Sequence, residues 1–337
     1  MQTTIRIAPA TMLLDISRKN AGHRERREKS WLGYSEGATW GAIPRAVSHL
    51  YRGQTGRHLP LLPSIARALD STDVAELWKS SPSDQAKIVL RLAQSWWFAQ
   101  ELSRHPVSEH AKKLHLTLDE IALAQHYGIP TGYLDLTDDF DVSAFFATCC
   151  LKSSGWEPVD TGIGVIYRVN LRIQPEQFAK YTPLGPQRLP RPFEQCAWVT
   201  ELPMCHSFEG WPGVDMLQFH HNRRVSEHFL AMFDGGKLLF PTDPLADVAD
   251  EILACGELPT DLADAALASF ATDQHGIRPN QIESVRRGLS GLVTLTAGRQ
   301  LLHPEHISFL LARPEWCNEM LAPVTANWQA VRRIPVL

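Results

Sequence analysis

No stretch of the chain approaches the ~20 uninterrupted apolar residues that a membrane-spanning helix needs, so no membrane association is expected. Arg6, Pro9 and Asp15 break up the opening residues, which makes them a poor signal peptide. Cysteine is sparse too. Cys149, Cys150, Cys196, Cys205, Cys255 and Cys317 show neither framework spacing nor a C-x-x-C pair, which suits a reducing cytoplasm. Cys149 and Cys150 sit in an apolar run and read as buried thiols. There is no basic surplus: the formal net charge is -4, whereas proteins that live on nucleic acid usually carry positive charge. Arg18, Lys19, Arg24, Arg26, Arg27 and Lys29 form a charged arm, but Glu25 and Glu28 dilute it, and it reads as a solvated helix face.

Several catalytic signatures are missing as well. There is no P-loop, and Gly288-Leu289-Ser290-Gly291 has the wrong spacing for a nucleophile elbow. His303-Pro304-Glu305-His306 does not set two imidazoles on one helix face, and His220-His221 and Cys205-His206 have no matching second pair. No metal site is therefore expected.

What remains is an ordinary globular composition, 44% hydrophobic and 21% charged over 337 residues, enough for one large domain or two smaller ones. Ile88, Leu92 and Trp96, flanked by Val89 and Trp97, predict a well-buried helix over 85–104. Thr117 and Glu120 fit a capping box for a second helix over 117–128, closed by Gly128 and blocked by Pro130. Leu118, Ile121 and Ala122 share one face of it, and Gln125 continues that face, where a polar side chain needs a partner. Asp141 can cap a third helix carrying Val142, Phe145, Phe146 and Cys149. Leu50-Tyr51-Arg52-Gly53-Gln54 reads as a short strand ended by glycine, 162–169 and 228–233 as further strands, 183–215 as a surface loop, and the chain from Pro244 onward as helical.

Two segments concentrate polar chemistry. Tyr51-Arg52-Gly53-Gln54 sets an arginine fork beside a glycine, where a ligand can approach the backbone closely. Gln125-His126-Tyr127-Gly128 leads through Thr131 to Asp135 and Thr137 at a helix end and the turn after it. Each residue has a plainer alternative. Arg52 can be a structural ion pair with Asp135, His126 a hydrogen-bonded core histidine, Tyr127 simple packing, and Asp135 a turn or cap residue.

These segments resemble the FRG-domain family, named for an aromatic-Arg-Gly motif. The resemblance runs from Tyr51-Arg52-Gly53-Gln54 with Leu61-Leu62-Pro63-Ser64 and Arg67 to Gln125 through Thr131, then Leu134, Asp135, Thr137 and 144–147. Arg191 through Trp198 is similar to the family's later Arg-to-Gln motif, so the likeness spans roughly 40–240. A looser resemblance is to the ADP-ribosyltransferase fold, in the order Arg52, then Tyr127 or Thr137, then Glu194-Gln195.

The two resemblances together imply an α+β fold: an ADP-ribosyltransferase-like mixed sheet core with surrounding helices. They divide the chain into a charged arm (1–29), a core (30–240) and a helical C-terminal region (241–337). They further imply NAD as substrate, with no metal. Cleaving the nicotinamide–ribose bond builds positive charge on the ribose, which Glu194 would stabilise. Arg52 would hold the pyrophosphate or ribose oxygens, and Tyr127 or Tyr51 would pack the nicotinamide ring. Gly53, Gln54, Gln125, His126, Asp135 and Thr137 would complete the cofactor site, with Gln195 beside Glu194. The implied activity is ADP-ribosyl transfer or NAD cleavage, suited to a toxin or phage-defence effector, with water, a protein or a nucleic acid as acceptor. If Gln195 rather than Glu194 faces the site, a non-catalytic nucleotide- or protein-binding module gains weight. A nucleic-acid-directed protein using residues 18–29 is the further alternative.

Overall fold

The computed structural model describes residues 7–23, 31–36, 39–44, 47–69, 80–113, 115–171, 181–184, 189–202, 207–211, 213–273, 279–312 and 332–333. Residues 24–29 of the charged arm, the Cys205-His206 pair and Cys317 lie outside the described residues. In chain order the strands are β1 (Ala8–Pro9), β2 (Trp31–Glu36), β3 (Thr39–Pro44), β4 (His49–Gln54), β5 (Tyr133–Thr137), β6 (Cys149–Lys152), β7 (Gly155–Pro158), β8 (Ile163–Asn170), β9 (Tyr181–Pro183), β10 (Ala197–Glu201), β11 (Val214–His220), β12 (Glu257–Pro259), β13 (Thr294–Thr296) and β14 (Arg332–Arg333). The helices are α1 (Thr11–Asn20), α2 (Pro82–Ser103), α3 (Pro106–Lys113), α4 (Glu120–His126), α5 (Phe140–Thr148), α6 (Pro190–Glu194), α7 (Arg223–Met232), α8 (Pro244–Ala254), α9 (Thr260–Asp273), α10 (Pro279–Leu292) and α11 (Pro304–Leu311). Among the described residues, no helix is long and apolar enough to cross a membrane.

Seven strands form a mixed sheet in the order β1-β11-β8-β4-β5-β10-β9, so the class is α+β. Within this sheet, among the described residues, the β1–β11 pair is parallel and the others are antiparallel. Alternation along β8 sends side chains to opposite faces. Val165, Tyr167 and Val169 join Leu50, Leu134, Leu136 and Trp198 under Phe208 and Trp211. Ile166 faces the other way and joins Phe140, Ala144, Ala147, Phe219 and Phe229. Strand β4 pairs with β8 over six residues but touches β5 at one position, Tyr51 opposite Thr137. The sheet therefore parts between β4 and β5 as the chain leaves Tyr51.

Helix α2 forms as its apolar spacing predicts. Ser81 caps it by accepting from the Asp84 amide at 3.1 Å, and Pro82 occupies its first turn. Ile88, Val89, Ala93, Trp97 and Phe98 are fully buried, while Trp96 packs at the margin. They share one core cluster with Val248 and Ile252 of α8, Leu262 and Ala266 of α9, and Val285 and Leu289 of α10. Glu101, only 1% exposed, ties this layer to the chain after β13. Its carboxylate accepts from the Leu301 and Leu302 amides at 3.1 and 2.8 Å and from Arg104 at 2.7 Å. Glu101→Ala leaves two buried amides without an acceptor and is expected to cost about 3 kcal/mol. Urea unfolding checks this, and the sheet cleft described below should keep its ligand affinity.

Four sequence expectations need correction. Residues 228–232 are helix, not strand, and Phe233 is the turn residue that closes it. Asn222 caps α7, and Phe229 and Phe233 turn inward at i and i+4 while Met232 stays exposed. Residues 183–215 are not a surface loop throughout, because α6 lies there and β10 pairs within the sheet. Asp119, not Thr117, caps α4, accepting from Ala122 at 3.0 Å, so the helix starts at Glu120. Asp139, not Asp141, caps α5, accepting from the Asp141 amide at 2.8 Å. Cys149 is buried as expected, but Cys150 is only partly so.

Candidate functional site

A cleft of about 370 Å³ opens where β4 and β5 part. Three arginines line it: Arg52 on β4, Arg67 on the short helical turn Ser64–Ala68, and Arg191 on α6. Asp135 is the one carboxylate among its described lining residues, and Phe146 and Phe240 supply an apolar wall. Tyr51, Gly53, Gln125, His126, Thr137 and Gln195 also line it.

Arg52 reaches across the gap. Its Nη1 donates to the main-chain oxygen of Asp135 at 2.7 Å, and its buried Nε has no partner among the described residues. The expected ion pair is thus a bond to the Asp135 backbone rather than to its carboxylate. Burial pulls the guanidinium down to about 10; Asp135 opposes the shift and Arg67 adds to it. Burial likewise lowers Arg191, against opposing pulls from Tyr127, Asp135, Asp250 and Asp243. The Nε of Arg191 is also buried and has no partner among the described residues, and its guanidinium carbon lies 4.7 Å from the Phe240 ring centre. Arg67 is lowered by burial too, and its Nε donates to the Leu62 carbonyl at 3.0 Å. Dehydrated cations without full compensation favour an anion beside them.

Asp135 lies within β5 and is neither a turn nor a cap residue. Gln125 Nε2 donates to its Oδ2 at 3.0 Å, and His126 Nδ1 stands 3.6 Å from its Oδ1. Burial pushes the carboxyl up, but His126, Arg52 and Gln125 together hold it below the ordinary value of 3.8. A depressed folded-state value means that its stabilisation is full above the ordinary range and is lost as pH falls through the folded value. The stability gap between wild type and Asp135→Asn should therefore be widest near neutrality and shrink below pH ~4, as thermal melts across pH 3–7 would record.

Gln125 has the partners its position demands. Its Oε1 accepts from Ser64, closely, and from the Thr131 amide and hydroxyl at 3.2 and 3.0 Å. Thr137 donates to the Gln195 carbonyl at 2.7 Å, and Gln195 Nε2 donates to the Leu239 carbonyl at 2.8 Å. Tyr51 sets its ring edge-on to Phe140 at 5.5 Å.

Other expected residues stand elsewhere. Tyr127 is 2% exposed and does not line the cleft. Its hydroxyl bonds Asp243, the cap of α8, and its ring packs on Phe98 at 5.4 Å and under Arg191 at 5.9 Å. Tyr127 thus supports Arg191 from behind instead of packing a ligand ring. Gln54 and Glu194 are outside the lining as well, and Gln195, not Glu194, faces the cleft. Gly53 has a different reason from the expected one. A Cβ there would meet the Ser143 carbonyl oxygen at 1.8 Å, so the close backbone approach is that of α5. Gly128 closes α4 as expected, at a φ of 99°. Arg67, Arg191, Phe146 and Phe240 were not singled out from sequence as site residues. Arg67 and Arg191 sit inside the quoted motifs, but Phe240 arrives on a separate connection that carries no local signal.

Residues 48–154 match the family model of the FRG domain. The chain carries an FRG domain. The match takes in β4, α4, β5 and α5, and with them Tyr51, Arg52, Gln125, His126 and Asp135. The cleft of the FRG domain is completed by Arg191, Gln195 and Phe240 from beyond the matched residues. No curated protein and no solved structure matches the chain.

Proposed function

We propose that the FRG-domain cleft binds NAD, with the pyrophosphate against Arg52 and Arg191, and that the nicotinamide–ribose bond is the one cleaved. The observation that carries the reading is the pair of half-buried arginines whose buried Nε groups have no partner among the described residues, on one cleft beside an apolar wall. Guanidinium forks suit the oxygens of a diphosphate, and Phe146 suits a heterocycle. In this reading the charge-stabilising carboxylate is Asp135 rather than Glu194, because Asp135 lines the cleft and is held ionised.

Binding without turnover is the second reading, favoured by Gln195, and not Glu194, lining the cleft. Incubation with NAD separates the two. Chromatographic release of nicotinamide supports the enzyme, and calorimetric binding of NAD and ADP-ribose with no release supports the module. Equal binding of nicotinamide riboside, which lacks the diphosphate, would overturn the anion assignment.

A further inference from the structure

We infer that His126 is the catalytic base of this cleft, oriented by Asp135 and aimed at a water or hydroxyl acceptor. The inference rests on the nucleotide reading above and adds a proton-accepting group to it.

His126 is 7% exposed, yet it lines the cleft and its buried Nε2 has no hydrogen-bond partner among the described residues. A buried ring nitrogen left unpaired is costly, so it marks a position where a ligand atom or acceptor completes the bonding. The other nitrogen, Nδ1, lies 3.6 Å from Asp135 Oδ1, too far for a hydrogen bond, and it too has no partner among the described residues. A proton on Nδ1 facing that carboxylate leaves the Nε2 lone pair free to accept another. Asp135 is itself fixed. Gln125 holds Oδ2 at 3.0 Å, Arg52 holds the main-chain oxygen at 2.7 Å, and Ser64 and Thr131 hold Gln125. A cleft-lining imidazole, a carboxylate beside its Nδ1 and a bonded frame behind that carboxylate make a general-base arrangement. The other charged groups on the cleft are Arg52, Arg67 and Arg191, which stabilise the anionic substrate and take no proton from the acceptor.

With water as acceptor the step balances. The bond between ribose C1′ and the nicotinamide nitrogen breaks, and its electron pair leaves with nicotinamide. The water oxygen bonds C1′, and one of its protons passes to His126 Nε2 and then to solvent. The products are ADP-ribose, nicotinamide and one proton.

The test uses the full chain with NAD, measuring nicotinamide release and, separately, calorimetric affinity. His126→Ala and His126→Gln should lower kcat roughly 100-fold while NAD affinity stays close to wild type. Added imidazole should restore part of the His126→Ala rate, which a structural role would not allow. Wild-type kcat in either variant, or loss of rate in His126→Ala without imidazole rescue, would overturn the base assignment. NAD binding by the wild type with no release would overturn it too, leaving the binding reading intact. No binding of NAD to the wild type would remove the nucleotide reading and this inference with it.

Discussion

Gly53→Ala is expected to destabilise the protein by about 3 kcal/mol or more, a large fraction of a typical domain's stability. The added methyl would stand 1.8 Å from the Ser143 carbonyl oxygen and 2.8 Å from the Ala147 amide nitrogen. Both are backbone atoms of α5, so no side-chain rotation relieves the contact and the helix must lift from β4. That helix carries Phe140, Ala144 and Ala147 into the core shared with Phe219 and Phe229, and Val142 and Phe145 into a second cluster with Cys149, Phe233 and Leu239. Lifting it loosens both, and it shifts Ser143 and Phe146 on the cleft wall. Gly132→Ala is the control: a Cβ there meets nothing within 4 Å, and the change should stay within ~0.5 kcal/mol. Equal urea midpoints for Gly53→Ala and wild type would mean that α5 does not lie on β4 as described.

Arg52→Ala is expected to weaken NAD binding by roughly 30-fold or more. Two losses combine. The cleft forfeits a desolvated cation whose charge burial has left poorly compensated, and the Asp135 carbonyl forfeits its 2.7 Å donor across the split in the sheet. Arg52→Lys separates charge from shape. It keeps the positive charge but not the fork, so it should fall between wild type and Arg52→Ala. Calorimetry measures all three, with circular dichroism confirming that the fold is kept. Wild-type affinity in Arg52→Ala would remove the arginine from the site.

The helix over α2 was legible because its apolar spacing is long and its cap and proline agree with it. The strands bearing Tyr51–Gln54 and Val165–Val169 were legible for the same reason: side-chain type and local punctuation point one way. α7 was not, since His228 to Phe233 is a short apolar run that suits a buried strand or a buried helix equally. The Asn222 cap and the inward pairing of Phe229 with Phe233 decide it. β10 was hidden among prolines and glycines, although Ala197-Trp198-Val199-Thr200 is all buried. At the site, Arg52, Gln125, His126 and Asp135 were readable because polar residues crowd near chain reversals. The bond that takes Tyr127 away from the cleft lining was not legible because its partner, Asp243, lies 116 positions away. Sequence alone does not say which of two adjacent residues, Glu194 or Gln195, turns toward a cleft assembled from distant segments.

A crystal structure with NAD at saturating concentration should show the diphosphate against the guanidiniums of Arg52 and Arg191, in the gap between β4 and β5. NAD bound elsewhere on the surface, with Arg52 still bonded only to the Asp135 carbonyl, would contradict that placement.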